Sequence, residues 1–173
     1  MKPVGTAWRP LAVYVAWVWL MALFFAQVEI QIEGAAGWAA SLPTWRISGH
    51  WALDLFWGGR PMTGYHAWVF PFMALVFFSP LAFSGRWQWR GAAQALAGLM
   101  LFWVVEDFAW FILNPAFGWS RFSPAHIPWH LRWWWGLPVD YWIGLLGSAG
   151  LLGWLVWRST TDAPATPRSG SAP

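Results

Sequence analysis

The chain has 173 residues, of which 58% are hydrophobic and only 10% charged, with a formal net charge of +3. A soluble domain carries roughly 25% charged residues and cannot enclose so large an apolar fraction at this length, so the composition disfavours a soluble fold. The absence of cysteine excludes disulfides, thiolate metal sites and cysteine nucleophiles. The few basic residues flank apolar segments, which favours orientation in a bilayer over binding to nucleic acid.

Four apolar segments are long enough to cross a membrane, since about 20 residues span the hydrocarbon core. They are residues 11–28, 67–83, 92–113 and 139–157. The first segment has no small-x-small cleavage site after it, so we expect an uncleaved helix and not a signal peptide. The sequence therefore predicts an all-α integral membrane protein, a four-transmembrane-helix bundle that forms one domain over residues 1–158.

The connections between these segments contain weaker signals. Residues 46–57 could form a short interfacial helix in the first long connection. In the second, Asn114 precedes a proline that stops the third span, and Ser123 followed by Pro124 resembles a helix start. We therefore expect a short interfacial helix over residues 124–135. The Thr/Ala/Pro/Ser-rich residues 159–173 are predicted to be a disordered cytoplasmic tail.

The distribution of charge predicts the orientation of the chain. Lys2, Arg9, Arg86, Arg90, Arg158 and Arg168 would share one side, and Arg46, Arg60, Arg121 and Arg132 the other. All the histidines and most of the acids also fall on the second side. The positive-inside rule then places both termini in the cytoplasm, with the reverse orientation as the alternative. Abundant Ala, Gly, Pro and Trp suggest a bacterial protein, and hence the cell inner (plasma) membrane.

Two adjacent acids, Glu106 and Asp107, interrupt the third span. Glu106 would lie about 10 Å from the helix end, and a buried carboxylate there costs about 2.5–3.5 kcal/mol. At least one of the pair should be protonated, ion-paired or metal-bound. Asn114 would lie two turns further along the same face, and Arg60 could serve as an anion anchor. These four residues are the candidate catalytic set, and the alternative is a structural pair neutralised by Arg60, Arg121 or a tyrosine.

Two other acids, Glu29 and Glu33, lie one helical turn apart at the outer end of the first span. Two interpretations remain for these acids: they could belong to a solvated helix end, or they could be part of the functional site.

The histidines suggest a metal site at the same end. His126 and His130 have the i, i+4 spacing by which a helix supplies two zinc ligands. A third ligand could come from His66, from His50 or from a carboxylate. The candidate metal ligands are thus His66, His126 and His130, with zinc or iron as the candidate ion. Pro128 could break the helix between the pair, in which case these are ordinary interfacial histidines.

A local resemblance is carried by the same residues. His126-x-x-Trp129-His130, with Glu106 and Asn114 upstream, resembles the zinc-dependent amidases of the alkaline ceramidase type. The resemblance implies a three-histidine zinc site that activates water against a lipid amide. It covers only these short stretches, and that family has seven spans where this chain has four.

The fourth span is rich in small residues. Gly144 and Ser148 form a small-x-x-x-small pair, which allows close helix approach within the bundle or with a second copy.

Two functions remain open at this point. One is an intramembrane enzyme, metal-assisted, acting on a lipid-like or small apolar substrate at the outer face. The other is a non-catalytic binding, assembly or transport-accessory subunit, which the tryptophan-dense loops favour. Expected partners are membrane lipid, a lipid-like substrate, and either a second copy or a partner membrane subunit, with no nucleic acid. A proton or ion carrier is disfavoured because the acids occupy only the outer half of the spans and no continuous chain of polar residues leads to the inner face.

Overall fold

The computed structural model describes residues 5–161, except for the side chains of residues 5–8, Leu55 and Phe56, and it is mostly helical. In this part of the chain the helices are α1 (Gly5–Glu33), α2 (Trp51–Phe56), α3 (Gly64–Ser84), α4 (Trp89–Leu113) and α5 (Val139–Thr161). Strand β1 (Arg46–Ile47) pairs antiparallel with β2 (Met62–Thr63), and β3 (Trp133–Trp134) with β4 (Leu137–Pro138). A single 3-10 turn covers Trp119–Arg121 between α4 and β3.

The four predicted apolar segments are helices, as expected. Four helices over the described residues are long and apolar enough to cross a membrane, namely Arg9–Glu33, Gly64–Ser84, Trp89–Leu113 and Val139–Thr161. α3 begins earlier than predicted because the Thr63 hydroxyl oxygen accepts the backbone N–H of His66 at 3.2 Å. α4 ends at Leu113, where Asn114 before a proline is extended. α5 continues past Ser159 to Thr161, so the predicted tail begins later, and its remainder lies outside the described residues.

The two predicted interfacial helices differ from the structure. Of residues 46–57, only Trp51–Phe56 is helical, with the His50 ring capping its first turn. The predicted helix over residues 124–135 is wrong, because that segment consists of turns that lead into the β3–β4 hairpin. Pro128 has no N–H to continue a helix, and Trp135 and Gly136 adopt positive φ angles in the turn. The i, i+4 spacing of His126 and His130 therefore does not place them on one face of a helix.

α4 is the central helix of the bundle. Half of its most apolar window is buried, against 6–17% for the other three long helices. Phe102 and Val105 of α4 pack with Val18 of α1 and with Met73 and Phe77 of α3 in one apolar cluster. A second apolar cluster, nearer the connecting loops, contains Ala26, Ile30, Ala109, Trp110, Phe111 and Ile127.

The outer surfaces of the long helices are apolar. Phe24 of α1 is 70% exposed, Leu75 of α3 is 72% exposed and Ile143 of α5 is 64% exposed. Leaving such side chains in water costs roughly 1.5–3 kcal/mol each relative to an apolar surrounding. A belt of this kind is compatible with a multi-pass membrane protein.

The two long connecting loops pack together at one end of the bundle, which we call the loop end (residues 34–63 and 114–138). The Asn114 side-chain amide donates to the carbonyl of Gly34 at 2.8 Å. Gly37 lies so close to the Trp129 ring that a Cβ there would be 2.6 Å from it. The loops that precede His66 and contain His130 are therefore on the same side of the bundle.

Candidate functional site

The site at the loop end is built first from α1, whose last turns carry two acids. Glu29 and Glu33 are 8% and 5% exposed, so the solvated-end alternative is wrong. The Tyr65 hydroxyl donates to Glu29 Oε1 at 2.8 Å, and the backbone N–H of Ala39 donates to Glu33 Oε1 at 2.6 Å. The chain reverses directly after α1, and this fold of the loop covers both carboxyls.

α4 contributes the two acids singled out from the sequence, and they have different surroundings. Glu106 is 3% exposed, and its Oε1 atom has no hydrogen-bond partner. Asp107 Oδ2, by contrast, accepts the Tyr141 hydroxyl and lies 3.0 Å from His130 Nε2. Asp107 is thus satisfied, whereas Glu106 is the buried carboxyl with unused hydrogen-bonding capacity.

His130 joins α4 to α5 through two carboxylates. Its Nδ1 lies 3.3 Å from Asp140 Oδ1, and Asp140 Oδ2 in turn pairs with the Arg60 guanidinium at 2.5 Å. Burial lowers the pKa of His130, but the charge of Asp107 and hydrogen bonds to Asp107 and Asp140 outweigh it and raise the pKa to about 9. His130 is therefore a cation at neutral pH whose two ring nitrogens both donate.

The three predicted metal ligands are not brought together as a set. His126 is exposed and bonds through Nδ1 to the Ser123 hydroxyl at 2.9 Å, whereas His130 is buried between two aspartates. His66 bonds to Thr63 Oγ1 at 2.7 Å and stacks on Trp38, with 4.0 Å between the ring centroids. Among the described residues there is no group of three or more His, Asp or Glu side chains that could hold a metal ion. The zinc or iron prediction thus gains no support.

The candidate catalytic residues are also divided. Glu106, Asp107 and Arg60 line a common cavity, as predicted, but Asn114 does not line it. Its amide nitrogen anchors Gly34, and its Oδ1 accepts the backbone N–H of Ala116 at 3.0 Å. Asn114 ties the two loops together because it has left the helical conformation at the end of α4.

The cavity has a volume of about 320 Å³ and combines acids with aromatic rings. Its acids are Glu29, Glu33, Glu106, Asp107 and Asp140; Arg60, His66 and Tyr141 add further polar groups. Its aromatic lining consists of Trp38, Trp57, Phe70, Trp103, Trp110, Phe111 and Trp129. The sequence pointed to Glu106, Asp107, Arg60 and His66, but it did not assign Asp140, Tyr141 or the indoles to the cavity. They are contributed by segments distant in the chain, and their positions depend on how the loops fold.

The cavity is layered along the helix axes. Its polar side chains come from the first turns of α3 and α5, from the last turns of α1 and α4, and, for Arg60, from the first loop. On α4, Met100 and Trp103 lie about one to two turns further from the loop end than Glu106, and on α3 Phe70 lies one turn beyond His66. The polar groups of the lining are therefore confined to the part nearer the loop end, where they are mixed with aromatic rings, and the lining towards the middle of the bundle is apolar.

A second cavity of about 340 Å³ lies between α1, α4 and α5. Its lining residues are apolar, except for the hydroxyl of Tyr141 and the indole N–H of Trp19. It shares Val104 and Tyr141 with the first cavity, so these two residues form part of the wall between them.

Comparison of the chain with models of known protein families, with curated protein sequences and with solved structures finds no match. The resemblance to the alkaline ceramidase type gains no support from these comparisons. The function is therefore inferred from the chemistry and geometry of the site itself.

Proposed function

We propose that the chain is an integral membrane protein with four transmembrane helices and both termini in the cytoplasm, in the cell inner (plasma) membrane. The exposed apolar belt and the four long apolar helices support insertion. The excess of basic residues at the end opposite the loop end supports this orientation. The loop end would then lie at the outer face of the membrane.

The cavity at that face binds a lipid-like, amphiphilic molecule from the outer leaflet. The observation that supports this most directly is that the polar groups of the lining lie towards the loop end, whereas on α4 the lining beyond Glu106 is apolar. A lipid in the outer leaflet has the same polarity profile, with its head at the surface and its chain towards the midplane. Because Ile143 is both 64% exposed and part of the lining, the cavity reaches the lateral surface of the bundle, where a lipid could enter.

Catalysis on the bound molecule is a second candidate function, and the environment of Glu106 favours it. A buried carboxyl without a hydrogen-bond partner on a cavity wall could act as a general base or acid on a bound substrate. Arg60 would orient an anionic group in that reaction. If the molecule is only held, the chain would serve as a binding, assembly or transport-accessory subunit.

Photolabelling in nanodiscs tests the binding proposal. A single-chain lipid with a diazirine at the end of its acyl chain should label the α4 segment around Met100 and Trp103. Ile143→Trp should reduce this labelling roughly tenfold, because the larger side chain fills the lateral side of the cavity. Leu146→Trp is the matched control, since Leu146 is 65% exposed on the same helix and does not line the cavity.

Equal labelling of the two variants, or label confined to Trp19 and Leu23 of the second cavity, would contradict the proposal. Turnover of the bound lipid that Glu106→Gln abolishes, with labelling retained, would favour the enzyme over the binding subunit.

A further inference from the structure

The acids of the cavity outnumber the cations that neutralise them. Asp140 is paired with Arg60, and both Asp107 and Asp140 lie at hydrogen-bond distance from His130. Glu29, Glu33 and Glu106 form no ion pair with any described residue. Glu29 accepts a tyrosine hydroxyl and Glu33 accepts backbone N–H groups, which are neutral donors. Glu106 Oε1 accepts no hydrogen bond.

We propose that the polar head of the bound molecule is an organic ammonium group, which lies against Glu29, Glu33 and Glu106. This inference rests on the proposed function and names the chemical class of its ligand. Three neighbouring carboxyls away from water repel one another when ionised, and a cation among them relieves that repulsion. A phosphate or carboxylate head at the same place would add to it.

Aromatic rings provide a second, independent reason. An ammonium group binds favourably over the faces of tryptophan rings, and rings of this kind surround the cavity. One of them already holds a cation, since the Arg60 guanidinium carbon lies 4.8 Å from the Trp38 ring centroid. The site is thus suited to a positive charge on two counts, carboxyl groups and aromatic faces.

Unpartnered polar atoms in the lining point to a bound molecule. Glu106 is 97% buried and Trp110 is 96% buried, and neither Glu106 Oε1 nor Trp110 Nε1 has a hydrogen-bond partner. The buried Trp57 Nε1 atom also has no hydrogen-bond partner. A polar atom in a packed interior is energetically costly unless something bonds to it. A head that carries an ammonium group and a hydroxyl could bond to the carboxyl and also to the indole N–H donors.

Binding of three probes of equal shape tests the charge. Hexyltrimethylammonium is the cation, 2,2-dimethyloctane is its uncharged carbon isostere, and hexanesulfonate is an anion of similar chain length. Each is titrated onto the full chain in nanodiscs, with empty nanodiscs subtracted, and binding is followed by calorimetry. We expect the cation to bind at least tenfold more tightly than the isostere, because cation–π and carboxyl contacts are absent from the latter. The sulfonate should not bind.

Glu106→Gln removes the charge with little change of shape and should weaken binding of the cation roughly tenfold. Glu29→Gln is a second variant, in case the first does not fold, and a monodisperse elution profile establishes folding. Asp54→Asn is the matched control, because Asp54 is an exposed acid outside the lining.

The outcomes separate this inference from the proposed function. If the isostere binds as tightly as the cation, or both glutamine variants bind the cation as the parent does, the ammonium inference is wrong while lipid binding stands. Preferred binding of the sulfonate likewise overturns the inference alone. If the diazirine lipid also fails to label the cavity, the proposed function fails with it.

Discussion

At the scale of single residues, the cavity contains two kinds of acid, which differ in their partners. Asp107 and Asp140 are held by His130, Arg60 and Tyr141, and they connect α4, α5 and the first loop. Glu106 is one residue away along the chain, yet it faces a different environment, because adjacent residues on a helix point about 100° apart. Of these two neighbours in the sequence, Asp107 is held by His130 and Tyr141, whereas Glu106 has an oxygen without a hydrogen-bond partner.

His130 should make the stability of the protein depend on pH. Its pKa is raised from 6.5 in the unfolded chain to about 9, so its contribution is fully present below pH 6.5 and is lost as the pH rises through 9. The contribution is at most about 3 kcal/mol in the free energy of unfolding. The measurement is unfolding in mixed micelles between pH 6 and pH 10, for the parent and for His130→Gln.

The difference between these two proteins should shrink as the pH rises. A difference that is constant over this range would show that His130 is not a cation in the folded state. Titrating groups that do not interact with His130 cancel from the comparison, whereas Asp107 and Asp140, which lie at hydrogen-bond distance from it, do not.

At the scale of helices, small residues decide how closely α5 approaches α4. A Cβ on Gly144 would collide with the Val104 side chain, and the Ser148 hydroxyl donates to the carbonyl of Ala97 at 2.9 Å. The predicted small-x-x-x-small pair therefore packs within the bundle. Gly150, on the same helix, has no neighbour near its Cβ position, so not every glycine of α5 serves this contact.

Gly144→Ala should accordingly destabilise the bundle by about 1–3 kcal/mol, the usual cost of overpacking a close contact. Gly150→Ala is the matched control, and it should be neutral or stabilising by up to about 1 kcal/mol, because alanine has the higher helix propensity. Steric-trap or mixed-micelle unfolding of the two variants provides the comparison. Equal effects at the two positions would mean that α5 does not approach α4 as closely as described.

At the scale of the whole molecule, the two loops form one layer over the end of the bundle. The hydrogen bond from Asn114 to Gly34 joins them, and the ion pair of Arg60 with Asp140 ties the first loop to the start of α5. The layer brings His66 and His130 to the same side. A common site for both therefore requires one face of the membrane, and the proposed topology makes that face the outer one.

The absence of cysteine makes this topology directly testable. Single cysteines at Ser48 and Ser120 in the loops, and at Ser84 at the end of α3, all occupy exposed positions. In intact cells a membrane-impermeant maleimide should label Ser48→Cys and Ser120→Cys, and it should label Ser84→Cys only after permeabilisation. Labelling of Ser84→Cys alone in intact cells would show that the orientation is the reverse of the proposed one. Labelling of only one of the two loop positions would show that the loops lie on different sides of the membrane, so that they could not form one site.

The sequence by itself determined the class of fold, because length and apolar composition alone decide whether a segment such as residues 92–113 can be a long apolar helix. It also singled out Glu106 and Asp107, because carboxylates within an apolar span are energetically costly, and Arg60 as a group that could reach them. Tertiary structure alone decided the rest. The helix predicted for residues 124–135 was replaced by turns and a hairpin, which separated His126 from His130. Asn114 was used for loop packing, and Asp140, Tyr141 and the indoles entered the cavity. The reason is that local periodicity describes one segment at a time, whereas a cavity is formed where several segments meet.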